Sequence, residues 1–261
     1  MRVQLRGSNT EFSEYLNDCG KGQLPFVSNE EFKVSIPSSL RHRGDRNSLC
    51  DWVFDDLNQN FANKSWLTNR AIICATNDSV DEINNFISAK LPGQNYLKKS
   101  FDTVAEDAHL YPTEFLNSLN PSGMPPHILN LKVGGSIMLL RNMDSNKGHC
   151  NGSKYVVTHI HSNVIEAEVA DGAFQGNRIF IPRIGLKTNE DMFPFCMTRK
   201  QFPVRPCFAL TANKSQGQTL QRVGIYLQKH FFSHGQYYVA QSRVGSSESL
   251  QILGPRNNNS E

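Results

Sequence analysis

Two stretches of this chain combine residue types able to handle phosphate. Thr211-Ala212-Asn213-Lys214-Ser215-Gln216-Gly217-Gln218-Thr219 sets hydroxyls, amides, one cation and one glycine in succession, and Tyr237-Tyr238-Val239-Ala240-Gln241-Ser242-Arg243-Val244 carries a single arginine among small and apolar residues. Thr211, Asn213, Lys214 and Ser215 supply neutral donors and a positive charge, which suits a sugar-phosphate backbone contacted without reading bases. Gln216, Gly217 and Thr219 follow at once, and glycine lets a backbone approach a ligand closely. Arg243 is an always-charged, planar donor of the kind that neutralises charge on a transferring phosphoryl group. Alone, an arginine near a helix end reads as a helix-dipole partner or a surface ion pair. Its place about thirty residues after the Asn-Lys-Ser-Gln-Gly turn favours the phosphate role.

The elements that must hold these residues follow from apolar periodicity. Ala71 to Ala75 is a continuous apolar run, the mark of a strand covered on both faces. Thr76-Asn77-Asp78-Ser79 and a helix with Val80, Ile83, Phe86 and Ile87 inward come next, giving the strand-turn-helix unit of a parallel α/β sheet. Such a turn can meet phosphate at the helix N-terminus, although an ordinary N-cap by Ser79 or Asp78 is the simpler reading. Arg205 to Leu210 is expected to re-enter the sheet and run into the turn, with further strands at Val223 to Leu227 and Leu250 to Leu253 and a helix over Gly235 to Val244.

Upstream, a short amphipathic helix is expected between Thr10 and Gly20, an alternating piece at Phe32 to Ile36, and a second helix from about Asn47 to Phe61. Trp52-Val53-Phe54-Asp55-Asp56 superficially resembles a strand ending in magnesium-binding carboxylates, but its apolar spacing is helical and no phosphate loop precedes it. Strands are expected at Ser100 to Ala105, Leu129 to Val133 and Ile137 to Leu140, with a helix at Glu114 to Leu119. From Gly148 to about Phe202 the texture changes to short alternating strands at Tyr155 to His161, Val164 to Val169 and Arg178 to Ile181, which suggests a small inserted β-barrel.

At 261 residues the chain can bury a real core, and its net charge of +3 with a pI near 8.5 permits nucleic acid as a partner without demanding it. The cysteines Cys19, Cys50, Cys74, Cys150, Cys196 and Cys207 are scattered, as expected of reduced thiols in an intracellular protein rather than of a disulfide framework or zinc site. His149, Cys150, His159 and His161 lack zinc-finger spacing and read as ordinary histidines and a thiol, so no metal site is expected. No apolar run approaches the roughly 20 residues that span a bilayer, so no membrane partner is expected.

Leu210 to Leu220, read with Ser233-His234-Gly235-Gln236 and the helix to Val244, resembles motifs V and VI of the petite-integration-frequency (Pif) DNA helicases of superfamily 1B, and is most similar to the helicase portion of Helitron transposons. Ala71-Ile72-Ile73 with Thr76-Asn77, Val80-Asp81-Glu82-Ile83-Asn84, Met138-Leu139-Leu140-Arg141-Asn142 and Cys150-Asn151-Gly152 extend the resemblance, as do Met1-Arg2-Val3 and Gly22-Gln23-Leu24-Pro25. The resemblance implies an α/β fold: a second RecA-like domain over 67–147 and 203–256, a small Src-homology-type barrel inserted at 148–202, a helical connector over 1–66 and a loose tail over 257–261. It implies ATP and magnesium as cofactors, movement 5′ to 3′ on single-stranded DNA, and a nuclear location in a eukaryotic host. Arg243 and Arg2 would be catalytic sensors of the γ-phosphate. Gln216, Gly217 and Thr219 would line the nucleotide, and Thr76, Asn77, Thr211, Asn213, Lys214 and Ser215 would face DNA.

No Gly-x-x-x-x-Gly-Lys-Ser/Thr phosphate loop occurs in the sequence. The family places that loop in an N-terminal RecA-like domain, expected here as an upstream partner half preceding Met1, so the chain is expected to be inactive by itself. A non-catalytic single-stranded DNA-binding module or a transposon relic is the competing reading. Gln241 departs from the family pattern, which has an aliphatic residue there; a buried amide without partners would loosen the placement of Arg243.

Overall fold

The computed structural model describes residues 10–25, 34–105, 108–188, 192–233 and 235–254. Its helices are α1 (Thr10–Lys21), α2 (Arg46–Val53), α3 (Leu57–Asn60), α4 (Lys64–Thr68), α5 (Asn77–Lys90), α6 (Thr113–Ser118), α7 (Ala212–Ser215) and α8 (Gln236–Gln241). The strands begin with β1 (Arg70–Cys74), β2 (Tyr96–Lys99), β3 (Phe101–Val104), β4 (Ile128–Leu131), β5 (Ser136–Leu139), β6 (Lys154–Ile160) and β7 (Val164–Val169). They continue as β8 (Arg178–Pro182), β9 (Ile184–Lys187), β10 (Met197–Gln201), β11 (Val204–Pro206), β12 (Ala209–Thr211), β13 (Arg222–Tyr226) and β14 (Leu250–Leu253). Residue contacts divide the chain into two units, one of 1–57, 69–87 and 208–261 and the other of 58–68 and 88–207.

The first unit is built on a parallel sheet in the order β12-β1-β13-β14. β1 is buried at every position, so the apolar run Ala71 to Cys74 sits inside the sheet as its composition requires. α2 closes on β13 at Gly224, where an added Cβ would stand 2.8 Å from Val53 Cγ2; only a missing side chain permits that approach. Asp45 caps α2 by accepting from Ser48 N, while Ser48 Oγ accepts from Asp45 N, a capping box. The expected helix from Asn47 to Phe61 is broken, because Asp56 takes a left-handed conformation (φ 51°) between α2 and α3. Asp55 lies in that break and pairs with Arg222 Nη1 at 2.8 Å and Arg70 Nη2 at 3.9 Å, which makes it a structural ion-pair partner. At the start of α5 the capping group is Thr76, whose Oγ1 accepts from Ser79 N at 3.3 Å, rather than Ser79 or Asp78. Of the alternating piece Phe32 to Ile36, Phe32 and Lys33 lie outside the described residues.

The second unit is antiparallel: a five-stranded sheet β11-β5-β6-β7-β8, a three-stranded sheet β3-β10-β9 and the pair β2-β4. Leu129, Ile137, Tyr155, Ile165, Ile181, Phe202 and Val204 meet in one apolar core. β5 and β11 belong to the same sheet as β6, β7 and β8, so the antiparallel unit extends from 88 to 207 rather than from 148 to 202. The expected single strand from Arg205 to Leu210 is two strands: β11 pairs with β5 in this unit, and β12 pairs with β1 in the other. Pro206 explains the break, since it donates no hydrogen bond with which to continue a ladder.

Arg199 on β10 and Asp102 on β3 are both fully buried and joined in a bidentate pair, with Nε to Oδ1 at 3.0 Å and Nη2 to Oδ2 at 2.6 Å. Arg199 donates further to the carbonyls of Pro125, Leu116 and Leu119. The pair therefore ties the three-stranded sheet to the connection between α6 and β4.

Candidate nucleic-acid interface

β12 is an edge strand, and an edge beside a site must be held in place. Asn84 on α5 does so: its Oδ1 accepts from Phe208 N (2.9 Å) and Ala209 N (2.8 Å), while its Nδ2 donates to Ala209 O at 3.2 Å. The buried amide pins the root of the strand that delivers Thr211 to the site. From Thr211 the chain enters the single turn of α7 and leaves it through Gly217, whose φ of +82° strains any residue with a Cβ.

The resulting knuckle presents Asn213, Lys214, Gln216, Gly217 and Thr219 to solvent and leaves Thr211 half-buried. Asn213 Oδ1 accepts from Gln236 Nε2 at 3.2 Å, which connects the knuckle to α8. Ser215 is fully buried and its hydroxyl donates to Ala212 O at 2.7 Å. Its expected role as a DNA-facing side chain is corrected: Ser215 closes α7 from within and presents no hydroxyl outward. Asn77 is exposed, whereas Thr76 is half-buried with its hydroxyl shared with Ser79.

Arg243 is half-buried and holds the knuckle from behind. Its Nε donates to Val239 O (2.7 Å), Nη1 to Ser215 O (3.4 Å) and Gln218 O (3.2 Å), and Nη2 to Ser242 Oγ (2.8 Å). Its own carbonyl accepts from Leu220 N at 2.8 Å. Burial pulls the guanidinium below the usual arginine value, with Tyr238 acting in the opposite direction. The structure thus brings Arg243 together with the Gln216 to Thr219 turn through backbone carbonyls. Arg2 lies outside the described residues.

α8 rests on α1 through a polar cluster that sequence reading missed. Tyr15 and Tyr237 approach hydroxyl to hydroxyl at 3.5 Å, and Gln241 Nε2 reaches Cys19 Sγ at 3.5 Å and Tyr237 O at 3.4 Å. Burial raises the Cys19 thiol to about 11 and pushes both tyrosines up, so the cluster is neutral near pH 7. Gln241 is fully buried, and its Oε1 has no partner among the described residues. Replacing this half-satisfied amide with an apolar side chain of similar size, Gln241→Leu, is expected to stabilise the chain by about 1 kcal/mol in urea unfolding. Loss of stability would show that the two long hydrogen bonds outweigh the orphaned oxygen.

Cofactor chemistry fits this site only in part. A Cβ built on Gly217 meets nothing within 4 Å, so the knuckle is open on the side where a nucleotide edge could lie. The knuckle itself holds no carboxylate for a magnesium ion, and among the described residues no three His, Cys, Asp or Glu side chains are grouped to bind one. His149 is buried against the Tyr155 hydroxyl, and His159 pairs with Glu166. No described helix is long and apolar enough to cross a membrane.

Residues 114–160 match the family described as DNA helicase Pif1, 2B domain. An ATP-dependent DNA helicase PIF1 from Danio rerio is 30% identical over 193 residues, which cover 69% of this chain and 27% of that protein. The ATP-dependent DNA helicase RRM3 of Saccharomyces cerevisiae is 44% identical over 57 residues, 22% of this chain and 8% of its own length. Among solved structures, one of DNA unwinding at forked duplex DNA by two coordinating Pif1 helicases aligns with a TM-score of 0.61 and 25% identity, covering 97% of this chain and 49% of that one. Bacteroides Pif1 bound to single-stranded DNA aligns with a TM-score of 0.64 and 24% identity, covering 97% of this chain and 51% of that one. The chain thus spans about a quarter of the curated Danio rerio relative and half of each solved structure. Over the part of those proteins that it spans, the chain is similar in sequence and in fold to Pif1 DNA helicases.

Proposed function

We propose that this chain supplies the DNA-holding and phosphate-sensing face of an ATP-dependent 5′ to 3′ DNA helicase. The observation that carries the reading is the coupling of one exposed knuckle to one arginine: Asn213 and Lys214 face solvent on α7, and the carbonyls of Ser215 and Gln218 behind them accept from Arg243. In this reading the parallel-sheet unit is the second RecA-like domain, and the antiparallel unit is its Src-homology-type insertion. Lys214, Asn213, Thr211, Asn77 and Thr76 hold the sugar-phosphate backbone of a single strand. Gln216, Gly217 and Thr219 border a nucleotide whose phosphates and magnesium ion are held by a second ATPase domain with a phosphate loop. When bound there, ATP supplies the free energy of translocation.

Displacing the knuckle toward a strand loosens the carbonyls that hold Arg243, and a freed guanidinium can turn to developing negative charge. Strand contact and charge stabilisation are thereby linked through backbone rather than through a shared side chain. A non-catalytic single-stranded DNA-binding module is the second reading. It is favoured by the same hydrogen bonds, because a guanidinium with all its nitrogens engaged is also a sound structural clamp.

The DNA face is tested by Lys214→Ala. It is expected to weaken binding of the chain to oligothymidylate and to lower the slope of log affinity against log salt by about 1, measured by fluorescence anisotropy. Binding that ignored both the substitution and the salt would remove the knuckle from the interface.

A further inference from the structure

One surface of the antiparallel unit joins an exposed aromatic ring to several cations. In the sheet β3-β10-β9, Phe101 pairs with Lys200 and Lys200 with Gly185, while Thr103 pairs with Thr198 and Thr198 with Lys187. Residues directly opposite one another share a face of the sheet. This face therefore carries a phenylalanine, lysines on two strands, two threonines and a glycine, and no carboxylate among its paired residues. The reverse face carries Asp102, Arg199, Leu186 and Met197, all buried, and is fixed by the Arg199 to Asp102 pair. The platform is thus rigid from behind and open in front.

Phe101 is 68% exposed. A single exposed phenylalanine needs no explanation; its surroundings do. The Arg183 guanidinium lies 5.9 Å from the ring centre and is held by Lys99 O (2.8 Å) and Gln201 Oε1 (2.9 Å), so a fixed cation flanks the ring. Lys99 and Leu97 are exposed two and four residues earlier, on the alternation that exposes Phe101 and buries Ser100 and Asp102. Gly185 leaves the position beside Lys200 without a side chain, so a planar ligand meets little obstruction there. Cations on neighbouring strands around an accessible ring match the chemistry of an unstacked base with its phosphates. The charge is complementary to a polyanion, and a duplex, with its bases stacked, could not use the ring.

We propose that this sheet face is a second single-strand contact, on which a base stacks against Phe101 while Lys99, Lys187 and Lys200 engage flanking phosphates. The inference rests on the single-strand reading above for the identity of the polymer, but not on the knuckle residues.

The test uses the full chain with oligothymidylate carrying 5-iodouracil. Photocross-linking is expected to map to Phe101, and Phe101→Ala should weaken binding at least roughly fivefold while Phe101→Trp retains it. Lys200→Ala should lower the salt slope by about 1. Unchanged affinity in both alanine variants would overturn the proposal, as would equal competition by a duplex of the same length. Self-association that Phe101→Ala abolishes without altering strand binding would also overturn it, by making the face a protein interface. Lys214→Ala is measured in parallel. If it has no effect while Phe101→Ala does, the knuckle reading fails and the platform stands; the converse removes the platform alone. No measurable strand binding overturns both.

Discussion

Arg243→Ala, placed in the chain joined to a phosphate-loop ATPase domain, is expected to slow DNA-stimulated phosphate release by roughly 10³- to 10⁵-fold. The magnitude follows from the group being lost. A guanidinium beside a transferring phosphoryl group acts where water is excluded and its field is least screened. Arg243 is half-buried behind the knuckle, and its Nη1 donates to the carbonyls of Ser215 and Gln218. Lysine is expected not to rescue, because a single ammonium cannot reproduce a planar fork divided between Val239 O, Ser242 Oγ and the knuckle. Since the substitution also removes those hydrogen bonds, unfolding by urea must be measured on the same variants. A loss of turnover with single-strand affinity and stability retained assigns the arginine to the chemical step. A loss of stability that accounts for the loss of turnover assigns it to the clamp.

Arg199→Ala is expected to destabilise the antiparallel unit by about 3–5 kcal/mol, the usual cost of stranding the partner of a buried ion pair. Asp102 would remain fully buried without its bidentate donor, and the carbonyls of Pro125, Leu116 and Leu119 would lose theirs. The double replacement Arg199→Met with Asp102→Leu is expected to recover most of the loss, because it removes both charges together. Urea unfolding of the full-length single and double variants checks this. An Arg199→Ala chain as stable as the original would mean that water reaches Asp102 readily. If the stacking face behaves as proposed, Arg199→Ala should also weaken strand binding, since the pair supports that face from behind.

Where local pattern and burial agree, the sequence announces the structure. β1 reads as a buried strand because every side chain in it is buried, and β7 and β14 fall at their expected positions because alternation and turns bracket them. β10 escapes such reading because Met197, Arg199 and Gln201 point inward in the strand Met-Thr-Arg-Lys-Gln, and two of these three are polar. Their burial is tolerable only through partners remote in sequence, Asp102 for Arg199 and the carbonyls of Lys98 and His127 for Gln201. No periodicity encodes those partners.

The site divides in the same way. The order of residues in the knuckle shows which side chains could contact phosphate, but not that a one-turn helix rotates Ser215 inward while leaving Lys214 outside. Asn84 lies within a stretch singled out by resemblance, yet its work on Phe208 and Ala209 becomes visible only when α5 is laid beside β12. The amide of Gln241 was legible as an anomaly for its helix. Its partial rescue by Cys19, more than two hundred residues away, was not.

The most direct measurement compares DNA-stimulated ATP hydrolysis by residues 1–261 alone with hydrolysis by the same residues covalently joined to a Pif1-type phosphate-loop domain. The expected result is no turnover by residues 1–261 alone and single-strand-stimulated turnover by the joined protein, abolished by Arg243→Ala and weakened by Lys214→Ala. Steady phosphate release by residues 1–261 alone, lost on Arg243→Ala, would contradict the proposal that this chain supplies a DNA-holding, phosphate-sensing face to an ATPase domain with a phosphate loop.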